Sequence, residues 1–204
     1  MTDYIPTREQ AFELFKSYNK SESLLKHALS VEAVMRYMAG KAGEDKNKWG
    51  IIGLIHDLDY EMYPEQHCKM TEKILRENNW PEDYIRAVLS HGWGLASDVE
   101  PHTLLEKTIY AIDELTGLVT TSALVRPTRS VLDMEARSVK KKWNDKKFAA
   151  GVNRSVIEKG AVMLGVSLDN LITDCIMGMR EAADDIGLRG DYPPTSPDQG
   201  RNKL

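Results

Sequence analysis

An imidazole and a carboxylate stand side by side at His56-Asp57, directly after an almost wholly apolar run, Gly50-Ile51-Ile52-Gly53-Leu54-Ile55. Two further acids follow at Asp59 and Glu61. Away from water each of these groups needs a partner, and a metal ion is the least costly one that serves imidazole and carboxylate together. Four more groups of the same chemistry fall on apolar helical stripes. His27 shares a stripe with Leu24, Val31, Val34, Met35 and Met38, at spacings of three and four. His67 aligns with Met70, Thr71, Ile74 and Leu75, and His91 with Tyr84, Ala87 and Val88. Asp113 shares a face with Ile109, Tyr110, Thr116, Gly117 and Thr120. Singly, each has a plain structural reading: a hydrogen-bonded core histidine, or an Asp113 paired with Arg126. Together they are harder to dismiss, because six such groups on five consecutive helices, left unpartnered, would cost on the order of 1–3 kcal/mol each. A shared metal removes that cost. His102, in a loop, receives no role.

The elements that must position these groups are helical almost throughout, with no alternating run long enough to demand a sheet. Thr7 caps a first short helix with Phe12 and Phe15 inward, and a second runs from about 21 to 41. Asp45 caps the helix that carries Trp49, Ile52 and His56. Pro64 fits the first turn of the helix expected to hold His67, and Pro81 opens the helix that ends at His91-Gly92-Trp93-Gly94. A long helix spans about 103 to 125 and stops at Arg126-Pro127. Another covers about 153 to 164, and the last carries Leu168, Leu171, Ile172, Cys175 and Met179. The organisation expected is one all-α domain over 1–188, with a core at 20–125 and a C-terminal helical extension at 130–188. A polar tail follows at 189–204.

Composition narrows the setting. The chain has 204 residues, 42% of them hydrophobic, enough for one core. Its longest apolar run is far below the roughly 18 residues of a membrane-spanning helix. The first residues lack the basic and apolar segments of a secretory leader, and two scattered cysteines, Cys68 and Cys175, make no disulfide framework. A cytoplasmic location is the expectation. The net charge of −4 argues against long nucleic acid as a partner. Seven bases fall within 137–154 against one acid, Asp145. That run reads either as a solvated helix face or as a subsite for an anion.

The order His27, then His56-Asp57, then Asp113, all in helical segments, resembles the HD superfamily of metal-dependent phosphohydrolases. His67 before Ile74-Leu75 is similar to the extra-histidine motif of many members, and Ser90-His91-Gly92 to their next histidine. The stretch from Asp113-Glu114-Leu115-Thr116-Gly117 through Arg126-Pro127 to Lys141-Lys142 and Phe148-Ala149 looks like a subgroup of small bacterial members. The resemblance implies that His27, His56, Asp57 and Asp113 hold a first metal, and that Asp57 bridges to a second completed by His67 and His91. Two departures stand out: Leu58-Asp59 replaces the usual Ile-Gly, and His67 follows Asp57 by only ten positions.

Mixed imidazole and carboxylate donors suit Fe, Mn, Co, Ni or Zn, one ion or two. The expected function is hydrolysis of a phosphate ester or anhydride of a small molecule such as a nucleotide, by water activated at the metal. Asp57, Asp59 and Glu61 are the expected catalytic acids, orienting the nucleophile or passing a proton. Arg126, Lys141, Lys142, Lys146, Lys147 and Arg154 are the expected phosphate binders. Two other readings use the same hexad: a non-catalytic metal- or nucleotide-binding regulatory module, and a di-iron oxygenase. No membrane partner is expected, and self-association is left open.

Overall fold

The computed structural model describes residues 4–192, and among these the chain forms nine α-helices and no strand. They are α1 (Arg8–Tyr18), α2 (Glu22–Ala42), α3 (Lys46–Ile55), α4 (Lys69–Glu77), α5 (Glu82–Ser90), α6 (Leu104–Leu124), α7 (Ala136–Trp143), α8 (Arg154–Leu164) and α9 (Leu168–Glu181). Local capping chemistry sets several starts. Thr7 and Gln10 form a reciprocal capping box on α1, Thr103 and Glu106 do the same on α6, and the Asp45 carboxylate accepts the Asn47 and Lys48 N–H groups of α3.

Helices α2 and α6 run through the centre, and α3, α8 and α9 pack on them. Their apolar faces merge into one core containing Phe15, Met35, Ile52, Leu54, Ile109 and Leu115, all fully buried. Two close approaches depend on missing side chains. A Cβ on Gly53 of α3 would lie 3.1 Å from the Glu32 backbone of α2, and one on Gly160 of α8 would lie 2.5 Å from the Ala111 Cα of α6. The α2–α3 contact brings His56 against His27. The α6–α8 contact brings the N-cap of α8, Asn153, against Glu114. Buried Glu32 receives Arg8 and Arg36 at 2.7–2.9 Å, tying α1 to α2.

One expected element differs. Pro64–Gln66 is a single 3₁₀ turn, and the chain breaks before α4 begins at Lys69. His67 has an extended ψ of 141° and Cys68 a φ of +68°, so His67 lies in a turn rather than on a helical face. Five consecutive helices therefore do not each present a ligand: His27 and Asp113 sit inside helices, while His56 and His91 occupy the C-terminal caps of α3 and α5. Of the tail expected at 189–204, residues 193–204 lie outside the described residues. Asp191 N–H donates to the Thr128 carbonyl at 2.8 Å. No single helix among the described residues is long and apolar enough to cross a membrane.

Candidate metal centre

Four imidazoles and two carboxylates converge where α2, the end of α3, the turn at His67, the end of α5 and the middle of α6 meet. His27 Nε2 lies 3.2 Å from His56 Nε2 and 3.0 Å from Asp113 Oδ1, and His56 Nε2 is 3.3 Å from that same oxygen. Asp57 Oδ2 completes this set at 3.6 Å from His27 and 3.3 Å from His56. The other Asp57 oxygen, Oδ1, faces His67 Nε2 and His91 Nε2, each at 3.5 Å, and those two nitrogens are 3.1 Å apart. One carboxylate thus serves two donor sets.

The far nitrogens of the rings decide what the near ones can do. His56 Nδ1 faces the Gly53 carbonyl at 2.8 Å and His91 Nδ1 faces the Val88 carbonyl at 2.6 Å. A carbonyl only accepts, so both Nδ1 atoms carry the proton. His67 Nδ1–H donates to Asp59 Oδ1 at 2.8 Å. Thr116 Oγ1–H donates to the Asp113 carbonyl, which leaves the hydroxyl oxygen to accept from His27 Nδ1 at 3.3 Å. In neutral form all four rings therefore aim Nε2 lone pairs at the centre. Lone pairs 3.1–3.2 Å apart repel unless a metal ion or a proton stands between them. Four donors 2.0–2.1 Å from one ion would be about 3.3 Å from each other, the spacing of the first set. The residues fit a metal, and their outer hydrogen bonds are those that orient histidine ligands.

Charge in the site follows the same geometry. Burial disfavours the His56 imidazolium, but Asp57 and Asp113 outweigh it and hold its pKa well above the ordinary value. Burial likewise opposes the His67 imidazolium, while its bond to Asp59 and the Asp57 charge raise its pKa. Burial would raise both Asp57 and Asp113, yet His56 beside them keeps each well below the ordinary carboxylate range.

The expected site residues now separate. His27, His56, Asp57, His67, His91 and Asp113 come together. Asp59 is fully buried, with Oδ1 on His67 and Oδ2 accepting the Thr71 N–H at 2.8 Å. It positions His67. Glu61 caps the α1–α2 link, accepting from the Lys20 and Ser21 N–H groups at 2.6 and 2.9 Å. Both carboxylates, expected as catalytic acids, are engaged by other groups, and neither lines the cavity.

None of the six expected phosphate binders lines the cavity. Arg126 is held by Asp133 and Ser138 at 2.8 and 3.0 Å. Arg154 donates to the carbonyls of Asp145 and Phe148 at 3.2 and 2.7 Å and so braces the loop before α8. Lys142 lies over the Phe148 ring, while Lys141, Lys146 and Lys147 stand in solvent. A run of like charges does not reveal which members are already engaged nearby.

Over the centre lies a cavity of ≈ 320 Å³ whose wall includes Tyr60, Glu114, Gly151 and Val152. Sequence reasoning gave these four no role, although Glu114 follows Asp113 directly. Burial raises the Glu114 pKa, against the Asn153 N–H that its carboxylate accepts. Cys68 Sγ lies near His67 and His91, but it lines a neighbouring cavity, and burial with Asp59 nearby pushes the thiol pKa up.

Residues 24–118 match the family model of the HD domain. Neither a curated protein nor a solved structure matches the chain.

Proposed function

Residues 24–118 are an HD domain, the domain of a superfamily of metal-dependent phosphohydrolases that bind divalent metals, and from that premise we propose that this chain hydrolyses a phosphate ester or anhydride of a small molecule, nucleotides being one such class. The observation that carries the reading is Asp57, whose two oxygens face two separate sets of inward imidazole nitrogens. His27, His56, Asp57 and Asp113 would hold one ion, and Asp57, His67 and His91 a second. Such ions lower the pKa of bound water from 15.7 to about 7 and neutralise charge on phosphoryl oxygens.

The chain's own groups do the rest. Thr116, Gly53, Asp59 and Val88 fix the four rings with Nε2 inward, so the donors are oriented before any ligand arrives. Two carboxylates among four neutral imidazoles leave two divalent ions with an excess charge of about +2, which matches one phosphate-monoester dianion. Tyr60, Leu95, Val152 and Val156 wall the cavity and limit water around the substrate.

Metal content by mass spectrometry, followed by phosphate release from a panel of small phosphate esters and anhydrides, tests the proposal. Two ions per chain with phosphate release are the expected result. Protein that takes up no Mn, Fe, Co, Ni or Zn, or that consumes oxygen without releasing phosphate, overturns it.

A further inference from the structure

Beyond its metal-facing donors the cavity has an unusual balance of charge for a site that takes an anion. Its wall is built by Tyr60, Leu95, Glu114, Gly151, Val152 and Val156, with small residues between them. No lysine or arginine lines it among the described residues, and Glu114 is the one charged side chain outside the donor set. Glu114 Oε2 accepts the Asn153 N–H, at the start of α8, at 3.1 Å. The other oxygen, Oε1, has no hydrogen-bond partner among the described residues.

We infer that the substrate carries a single anionic group, held at the metal centre, and a hydroxyl or ammonium group that donates to Glu114, which makes Glu114 a specificity-determining residue that rejects a second anion. The inference rests on the phosphohydrolase reading only for naming the anionic group a phosphate. A second phosphate or a carboxylate entering this cavity would meet a half-buried carboxylate and the side chains of Leu95, Val152 and Val156, and would lose hydration with nothing to replace it. A hydroxyl or ammonium gains a hydrogen bond to a charged acceptor, which shifts affinity by roughly tenfold or more. The volume of ≈ 320 Å³ is that of a small ligand. Monophosphates of amino alcohols, polyols or nucleosides fit this description; nucleoside triphosphates and sugar bisphosphates do not.

Three phosphonates of one chain length, ending in ammonium, hydroxyl or carboxylate, test the inference by calorimetric binding to the manganese-loaded full chain. Phosphonates are not cleaved by hydrolysis of a phosphate ester, so the readout is independent of turnover. The ammonium and hydroxyl compounds should bind at least about tenfold tighter than the carboxylate. In Glu114→Gln the carboxylate should come within about threefold of the ammonium, with the manganese content unchanged. Should that variant lose manganese, the wild-type ranking alone decides. Equal or tighter binding of the carboxylate by the wild type overturns the inference, as does an equal loss for all three ligands in a manganese-replete Glu114→Gln. Selective binding without phosphate release from the matching esters would sink the hydrolase reading and leave the role of Glu114 standing.

Discussion

The two halves of the metal centre are built by different means. His27, His56 and Asp113 are carried by α2, the end of α3 and α6, and α2 packs on both α3 and α6. His67 and His91 come from a turn and a helix end, and the turn includes a cysteine at φ +68°. The first half is placed by helix packing and would keep its geometry as long as the core is intact. In the second, His91 is set by the Val88 carbonyl, but His67 depends on one carboxylate, Asp59, which binds both it and the first turn of α4. Left-handed backbone at a non-glycine residue is strained by about 1–3 kcal/mol and persists only where its surroundings enforce it. Asp59 is that enforcement, and it stands at a position where the sequence departs from the commoner Ile-Gly.

Asp57→Ala removes the one group common to both halves. We expect metal content to fall near zero and phosphate release to drop on the order of a thousandfold or more. Retention of one full ion by this variant would break the shared-carboxylate account. His91→Ala is milder, since the four donors of the first set remain: one ion should stay bound, as measured by mass spectrometry. Asp59→Asn should weaken the second ion by roughly 10–100-fold and leave the first untouched. Thr116→Val, which removes a neutral contact of 3.3 Å behind His27 and the hydroxyl's bond to the Asp113 carbonyl, should cost the first ion about tenfold or less. If Thr116→Val proves more damaging than Asp59→Asn, the two halves are not built as contrasted above.

The pH dependence sharpens the comparison further. With metal removed, the raised His56 and His67 pKa values contribute stability that is fully present below about pH 6.5 and is lost as pH rises through the folded-state values. The depressed Asp57 and Asp113 values contribute stability present above about pH 3.9 and lost as pH falls through the folded-state values. Metal binds the deprotonated rings and therefore tightens as pH rises. The difference in Tm between manganese-loaded and chelated protein should widen from about pH 6 upward. Thermal scans showing that it narrows would contradict the proton-for-metal exchange. Smallest of all, Lys141→Ala with Lys142→Ala should leave KM within about twofold, because neither residue lines the cavity.

Much of this was legible from residue spacing, and the failures have physical causes. Helix α6, read as about 103 to 125, spans Leu104–Leu124: its apolar stripe and the stop at Arg126-Pro127 are legible, while the Thr103–Glu106 capping box that starts it emerges from the structure. The stripes of α2, α3 and α5 pointed their histidines inward. His67 was misplaced because Met70, Thr71, Ile74 and Leu75 extend backward to it at helical spacing. Nothing in a cysteine announces a positive φ. Asp59 and Glu61 looked catalytic because they follow His56-Asp57, whereas their partners, Thr71 and the Lys20-Ser21 backbone, are distant in sequence. Glu114 was overlooked beside Asp113, since neighbouring helix residues are not expected to reach the same chamber.

The wall contributed by Gly151, Val152 and Val156 has a consequence for how such a protein changes over generations. These three residues lie past the end of the HD match at 118: Gly151 and Val152 on a loop that Arg154 fastens through the Asp145 and Phe148 carbonyls, and Val156 in the first turn of α8. Glu114 stays beside the donor Asp113, but part of the cavity wall therefore resides in a separate stretch of chain. A lineage could rewrite 145–156 and acquire a taste for a different molecule while its metal-holding machinery stayed as it was.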